Sequence, residues 1–324
     1  MPTVMLSHAL YEDGMRLLRE QAEVIIADNS DMDAVLTQLQ KADGLILRVG
    51  KIDRGIMEKC PNLKVISRPG VGVDTVDMQA ATELGIPVVI APGTNARSVA
   101  EHAVALTYTL TKNISESHSE TAGGNFGIRN KYAAIELENH TLGIIGFGNI
   151  GHLTAALFAA NGMKIHTYDP YVPMEEAERC GYVPHDTLED CLGACDVVSL
   201  HVPLTPQTRG MFGKEQLSSM KTGAFLINCA RGEVVDEQAL YDSLVGGKLA
   251  GAAADVMQAE PMDPASLLFT CKNFIATPHM AALTRESAAR TARLTAQGTL
   301  AVLRGEHWEH VANPQVYSHP RWLK

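Results

Sequence analysis

Short apolar runs alternate along the chain with longer segments whose apolar residues recur at helical spacing. Thr3–Ser7, Gly44–Arg48, Leu63–Ser67 and Pro87–Ala91 have the length and composition of buried strands. Glu12–Gln21 and Met32–Lys41, lying between them, carry helical periodicity. Strands separated by helices imply a parallel sheet, because parallel neighbours need a long crossover. A longer apolar helix is predicted over Ala96–Thr111, followed by a polar, glycine-bearing stretch, Ser115–Tyr132, with no clear strand. This stretch marks a domain junction.

The strand pattern restarts at Thr141, with Leu142–Gly146, Lys164–Asp169, Val197–His201, Ala224–Asn228, Gly251–Asp255 and Phe274–Thr277. Six such runs with helices between them suit a doubly wound sheet. One long helix, Arg285–Arg304, then leads to a polar, aromatic-bearing tail that is too short for a core of its own and is expected to pack on the first domain.

Composition narrows the field without naming a chemistry. At 324 residues the chain is long enough for two cores, and 46% hydrophobic with 20% charged residues is ordinary globular usage. The formal net charge of −10, spread along the chain, argues against a nucleic-acid or membrane-surface partner, so an anionic ligand must meet a local basic pocket. The six cysteines form no CxxC pair and read as reduced thiols of a cytoplasmic protein. Cys191 and Cys195 stand one helical turn apart, but nothing completes a zinc set around them, and no metal is expected. The first residues lack the basic and apolar regions of an export signal, and no apolar run reaches membrane-spanning length.

The chemistry begins at Gly143–Gly151, which places GxGxxG directly after a strand and at the start of a helical run. Gly146 permits the tight turn, Gly148 lets backbone approach a pyrophosphate, and Gly151 lets helix pack on strand; Asn149 and Ile150 bring helix N–H groups to the phosphates. Roughly 20 residues further on, the second strand ends at Asp169, whose carboxylate can accept hydrogen bonds from ribose hydroxyls. It would repel the 2′-phosphate of NADP, and Pro170 and Tyr171 supply no arginine to receive one, so NAD is the expected cofactor.

Three later segments each put an ionisable residue just beyond a strand: Arg231, Asp255 with Glu260, and His279. Ligands of open α/β sheets lie outside the carboxyl ends of the strands, so these residues are expected to converge. Reduction of a 2-keto acid needs a proton donor, which a histidine can be near neutral pH. His279 is that donor, Glu260 the carboxylate that stabilises its protonated form, and Arg231 the fork that grips the substrate carboxylate. Singly, each has a blander reading: a capping arginine, a solvated acid, a packing histidine.

Over essentially its whole length the chain resembles the D-isomer-specific 2-hydroxyacid dehydrogenases, through GIIGFGNIG, the acid of YDPY, HVPLTPQT, LINCARGEVVDEQAL, AAADVMQAEP and TPHMAALT. The resemblance implies that Arg231, Glu260 and His279 form the catalytic set and that Asp255 contacts the nicotinamide carboxamide. Val202, Pro203, Thr208 and Ala230 would line the cofactor cleft, with Pro170, Cys229 and Ala281 as further cofactor contacts. It implies an α/β protein of two doubly wound domains. A Rossmann NAD-binding domain, 99–287, would be inserted into a smaller flavodoxin-like substrate domain, 1–98 and 288–324. A homodimer is expected, with the apolar helix Ala96–Thr111 across its two-fold axis or, alternatively, buried between the domains.

The substrate is less determined. The turn Ser67–Asp74 could offer the N–H groups of Val71 and Gly72 to a carboxylate. Arg48, Arg68 and Arg129 resemble phosphate-binding positions of D-3-phosphoglycerate dehydrogenases, although Gly127 stands where a tryptophan is usual in that subfamily. No C-terminal regulatory domain is expected. D-3-phosphoglycerate is therefore the first expected substrate; hydroxypyruvate, glyoxylate, sulfolactate and branched D-2-hydroxy acids stay open. So do action on formate or phosphite, which the Glu260–His279 pair disfavours for formate, and an NAD(H)-sensing corepressor role.

Overall fold

The computed structural model describes residues 1–131 and 134–323. The chain divides into two compact units, Met1–Asn95 with Leu283–Lys324, and Ala96–Ala282. The boundaries expected after residues 98 and 287 fall inside helices, where each helix goes whole with the unit it packs against.

The first unit begins β1 (Thr3–Leu6), α1 (Glu12–Gln21), β2 (Glu23–Ile26), α2 (Leu36–Leu39), β3 (Gly44–Ile46), α3 (Arg54–Glu58), β4 (Val65–Ser67), α4 (Met78–Glu83) and β5 (Val88–Val89). Its parallel sheet runs β2-β1-β3-β4-β5, the flavodoxin-like order, with the switch point between β1 and β3. Where a helix was expected over Met32–Lys41, only Leu36–Leu39 is helical. Asn29 accepts the N–H of Asp31 and Asp31 that of Asp33, side-chain turns that compete with a helix.

The second unit opens with α5 (Ala96–Thr111) and α6 (Ile114–Ala122). It continues with β6 (Thr141–Ile145), α7 (Asn149–Ala160), β7 (Lys164–Tyr168), α8 (Met174–Arg179), β8 (Val183–Pro184), α9 (Leu188–Ala194), β9 (Val197–Leu200), α10 (Lys214–Ser219), β10 (Ala224–Asn228), α11 (Glu237–Val245), β11 (Leu249–Ala254) and β12 (Phe274–Ala276). The parallel sheet order is β12-β11-β10-β9-β6-β7-β8, a Rossmann arrangement with its switch point between β6 and β9. The polar stretch Ser115–Tyr132 is largely helical, in α6 and a 3-10 turn over Phe126–Lys131, and contains no buried residue up to that turn's end; Tyr132 lies outside the described residues.

The last helix, α12 (Arg285–Leu303), returns to the first unit, packing Ala296 and Leu300 against Val4, Leu6 and Ile46. The tail then pairs Val311 antiparallel with Val89, covering the free edge of β5. Buried Asn313 fixes it there, accepting from the N–H of Val88 (2.8 Å) and donating to the Ile86 carbonyl (3.0 Å). No helix among the described residues is long and apolar enough to cross a membrane.

Candidate active site

Strand register in the second unit brings the site residues into one row. Ile145 is level with Leu200, Leu200 with Asn228, Asn228 with Ala254, and Ala254 with Ala276. The next residue of each strand, Gly146, His201, Cys229, Asp255 and Thr277, therefore leaves the sheet along a common edge, and the loops that follow carry Arg231, Glu260 and His279.

The glycine turn has the build of a dinucleotide cradle. Gly146 has φ +94°, and a Cβ there would stand 2.8 Å from the His201 carbonyl. A Cβ on Gly151 would collide with the Gly146 carbonyl at 2.2 Å, so helix and turn touch through backbone. A Cβ on Gly148, by contrast, would meet nothing within 4 Å: this glycine faces open space, which is what an approaching pyrophosphate requires. Gly148 is also the N-cap of α7 and has no side-chain cap, leaving the first N–H groups of the helix, near Asn149 and Ile150, without a capping side chain.

Asp169 ties this turn to the end of β7, accepting from the N–H of Phe147 (2.8 Å) and of Tyr171 (2.9 Å). Pro170 between them is exposed, and no arginine neighbours the carboxylate in the chain. On the other side of the switch point Val202 packs against Gly146. The Thr208 hydroxyl closes the following loop by donating to the Pro203 carbonyl (2.6 Å) and accepting the Thr205 N–H (2.8 Å). The cradle, its open face and a carboxylate at the end of β7 fit NAD.

Beyond β10, Asn228 folds the turn that presents Arg231. Its side chain accepts the Ala230 N–H (3.0 Å) and donates to the Arg231 carbonyl (2.9 Å). The Arg231 guanidinium donates through Nη1 to the Ala230 carbonyl at 2.8 Å. A Cβ on Gly232 would lie 2.0 Å from the Met257 carbonyl group, so the Arg231 turn and the segment leading to Glu260 are in backbone contact. Gln258 secures that segment: its N–H reaches Glu237 and its amide the Val235 carbonyl. Cys229 is buried, and burial, helped by the nearby Asp255 charge, pushes its thiol upward and keeps it protonated.

Nδ1 of His279 lies 2.8 Å from Oε2 of Glu260. This bond raises the imidazole above its ordinary value of 6.5, outweighing the opposing effect of burial. His279 has φ +49°, held by its N–H donating to the carbonyls of Asp255 (2.7 Å) and Thr277 (3.0 Å). Asp255, 1% exposed, accepts the Thr277 hydroxyl (2.6 Å) and the N–H groups of Met280 (2.9 Å) and Ala281 (2.8 Å). Ala281, a residue expected to contact the cofactor, has its N–H engaged by Asp255. Sequence reading missed Gly232, Gln258 and Thr277, whose contributions depend on contacts between distant segments, and Asn228, whose side chain folds its own turn.

Of the arginines expected at a substrate anion, Arg48 and Arg68 lie in the first unit and Arg129 in the second. Arg129 lies in the second unit, exposed, its guanidinium 5.2 Å from the centre of the Phe126 ring. Arg48 lies in the first unit after β3, exposed and without a side-chain partner among the described residues. Arg68 is engaged: it donates to the carbonyls of Gly72 (3.0 Å), Leu47 (2.6 Å) and Arg48 (3.2 Å), and so shapes the turn Ser67–Asp74. The N–H groups of Val71 and Gly72 on that turn have no acceptor among the described residues.

The chain is similar to known proteins over most of its length. Residues 104–281 match the family model of the D-isomer specific 2-hydroxyacid dehydrogenase, NAD binding domain. The chain is 41% identical over 314 residues to a D-3-phosphoglycerate dehydrogenase of Methanocaldococcus jannaschii, covering 97% of this chain and 60% of that relative. Among solved structures, a protein from Thermus thermophilus superposes with TM-score 0.87 at 32% identity, covering 96% of this chain and 99% of that one. An NADPH-dependent glyoxylate/hydroxypyruvate reductase from Sinorhizobium meliloti does so with TM-score 0.87 at 25% identity, over 97% of each. By the family model that matches more than half of its residues and by its identity to the Methanocaldococcus jannaschii relative, the chain belongs to the D-isomer-specific 2-hydroxyacid dehydrogenase family.

Proposed function

We propose that the protein interconverts a small D-2-hydroxy acid and its 2-keto acid. The observation that carries this is the His279–Glu260 pair at 2.8 Å, beyond the same sheet edge as the glycine cradle. Bound NAD(H) supplies or accepts the hydride at C2. With Nδ1 engaged by Glu260, Nε2 of His279 is the nitrogen left to give a proton to the carbonyl oxygen in reduction and to take it back in oxidation. Arg231 grips the carboxylate and polarises the carbonyl, while Val71 and Gly72 offer backbone N–H groups to the carboxylate. Asp169 and the cradle Gly146, Gly148, Asn149, Ile150 and Gly151 hold the cofactor, with Pro170, Val202, Pro203, Thr208, Cys229, Ala230 and Asp255 around it. The two carboxyl groups of Asp255 and Glu260 have separate duties: one fixes the turn, the other the proton.

D-3-phosphoglycerate is the proposed substrate, supported by the name of the 41%-identical relative and by Arg48 near the β1/β3 switch point. A second reading, glyoxylate or hydroxypyruvate, is favoured by Arg68, whose bonds to three carbonyls leave less of its guanidinium for a phosphate. NADH oxidation with a panel of 2-keto acids, beside NAD reduction with D-3-phosphoglycerate, separates them. Phosphoglycerate turnover that collapses in Arg48→Ala supports the first, and activity confined to hydroxypyruvate or glyoxylate the second. NADH binding without any turnover would refute both and favour a nucleotide-responsive binding protein.

We further propose a homodimer. The buried face of α5 packs in its own unit, as Val99, Ala103, Leu106 and Leu110 do against Phe158, Phe225 and Ala253. By contrast α6 buries nothing, and Ile114 and Phe126 are 51% and 69% exposed. A nine-residue helix is marginal without tertiary cover. Light scattering that finds a monomer at micromolar concentration contradicts the dimer. A cytoplasmic location completes the proposal, supported by six free thiols.

A further inference from the structure

His102, on α5, meets the site from the helix side. Its Nε2 lies 2.9 Å from the Thr277 hydroxyl and 3.5 Å from Oδ1 of Asp255, and its side chain is 20% exposed. Thr277 has a single hydroxyl proton, and its 2.6 Å contact with the acceptor-only carboxylate of Asp255 uses it. The hydroxyl can therefore only accept from His102, which places a proton on Nε2. The same Asp255 carboxylate takes the N–H groups of Met280 and Ala281, and its main-chain carbonyl takes that of His279. Imidazole, hydroxyl, carboxylate and the left-handed turn at His279 form one continuous chain of bonds.

We propose that His102 is a positioning residue for hydride transfer. As a fixed Nε2–H donor it locks the Thr277 hydroxyl onto Asp255, and thereby sets both the carboxylate at the nicotinamide end of the cofactor site and the turn that carries His279. This inference rests on the proposed reaction for its catalytic consequence, but not for its geometry. Without the imidazole N–H, the Thr277 hydroxyl loses the donor that orients and polarises it, its bond to Asp255 weakens, and Asp255 holds the turn that carries His279 less firmly. The glutamine side chain carries an N–H₂ group at comparable reach and can replace the donor; leucine fills the space and cannot.

The test has a readout in the free protein. Imidazole nitrogen NMR of the ligand-free chain, above the imidazole titration, is expected to show His102 as the Nε2–H tautomer; the Nδ1–H tautomer would overturn the proposal. His102→Leu is expected to weaken NADH binding about fivefold, and to lower kcat by a comparable factor, the worth of one neutral hydrogen bond, while KM for the keto acid stays near wild type. His102→Gln should recover most of both. Thr277→Val added to His102→Leu should cost little more than either change alone, because the two act through one bond. A leucine variant with wild-type NADH affinity and kcat, or a glutamine variant as poor as leucine, would overturn the role. If His102→Leu does not fold, the tautomer and a comparison of His102→Gln with the shorter His102→Asn decide, the asparagine being expected to fail. A wild-type protein without turnover refutes the proposed reaction alone, since tautomer and NADH affinity still report on His102.

Discussion

Gly232→Ala probes how closely the Arg231 turn must approach the Glu260 segment. An alanine Cβ would sit 2.0 Å from both the carbon and the oxygen of the Met257 carbonyl and 2.5 Å from the Gln258 nitrogen. Ordinary contact begins at 3.4 Å, and all three atoms are main chain, so no side chain can move aside. The two segments must separate by roughly 1.4 Å, and a displacement of about 1 Å in a positioned group is enough to lower turnover on the order of a hundredfold. The overpacking itself should cost about 1–3 kcal/mol of stability. Gly232 does not have positive φ, so the effect is steric and not conformational. The assay is keto-acid reduction at saturating NADH, with NADH affinity from fluorescence and Tm from calorimetry. Gly148→Ala is the contrasting variant: it has nothing within 4 Å, should fold with unchanged Tm, and should lose NADH affinity instead. Wild-type kcat/KM in Gly232→Ala, with unchanged Tm, would show that the two turns need no backbone contact and that the reasoning is wrong.

Glu260→Gln removes the carboxylate that raises the His279 pKa, so the limb of the keto-acid reduction profile that falls with rising pH should move to lower pH. The sign follows from the proton: reduction needs the protonated ring, and any stability this bond adds is present below 6.5 and lost as pH rises through the raised folded value. An unmoved or upward-shifted limb contradicts the pairing. His279→Ala should lose turnover by a factor of a hundred or more yet bind NADH normally, which equilibrium fluorescence checks; an equal loss of both would mean that its role lies in cofactor binding. Asp169→Asn should weaken NADH binding about tenfold and narrow the preference over NADPH, measured as the ratio of kcat/KM values; an unchanged ratio would remove Asp169 from cofactor selection.

Features set by a few adjacent residues could be read from the chain, and features set by distance could not. The cradle is legible because each glycine answers a local backbone need, and the strand ends are legible because apolar runs stop where polar loops begin. Strands β2 and β8 escape notice because each lies at a sheet edge and contains no buried residue, so the apolar run that marks a strand is weak there. His102 escapes for another reason: a histidine on an apolar helix has many uses, and only its 2.9 Å approach to Thr277, which lies far along the chain, selects one. The arginines mark the boundary most clearly. Sequence supplies three cations of equal standing, but a guanidinium already holding three carbonyls, as Arg68 does, serves the loop before any ligand. Under the proposed reaction, phosphate recognition is therefore to be tested first at Arg48, whose guanidinium, unlike that of Arg68, holds no carbonyl among the described residues.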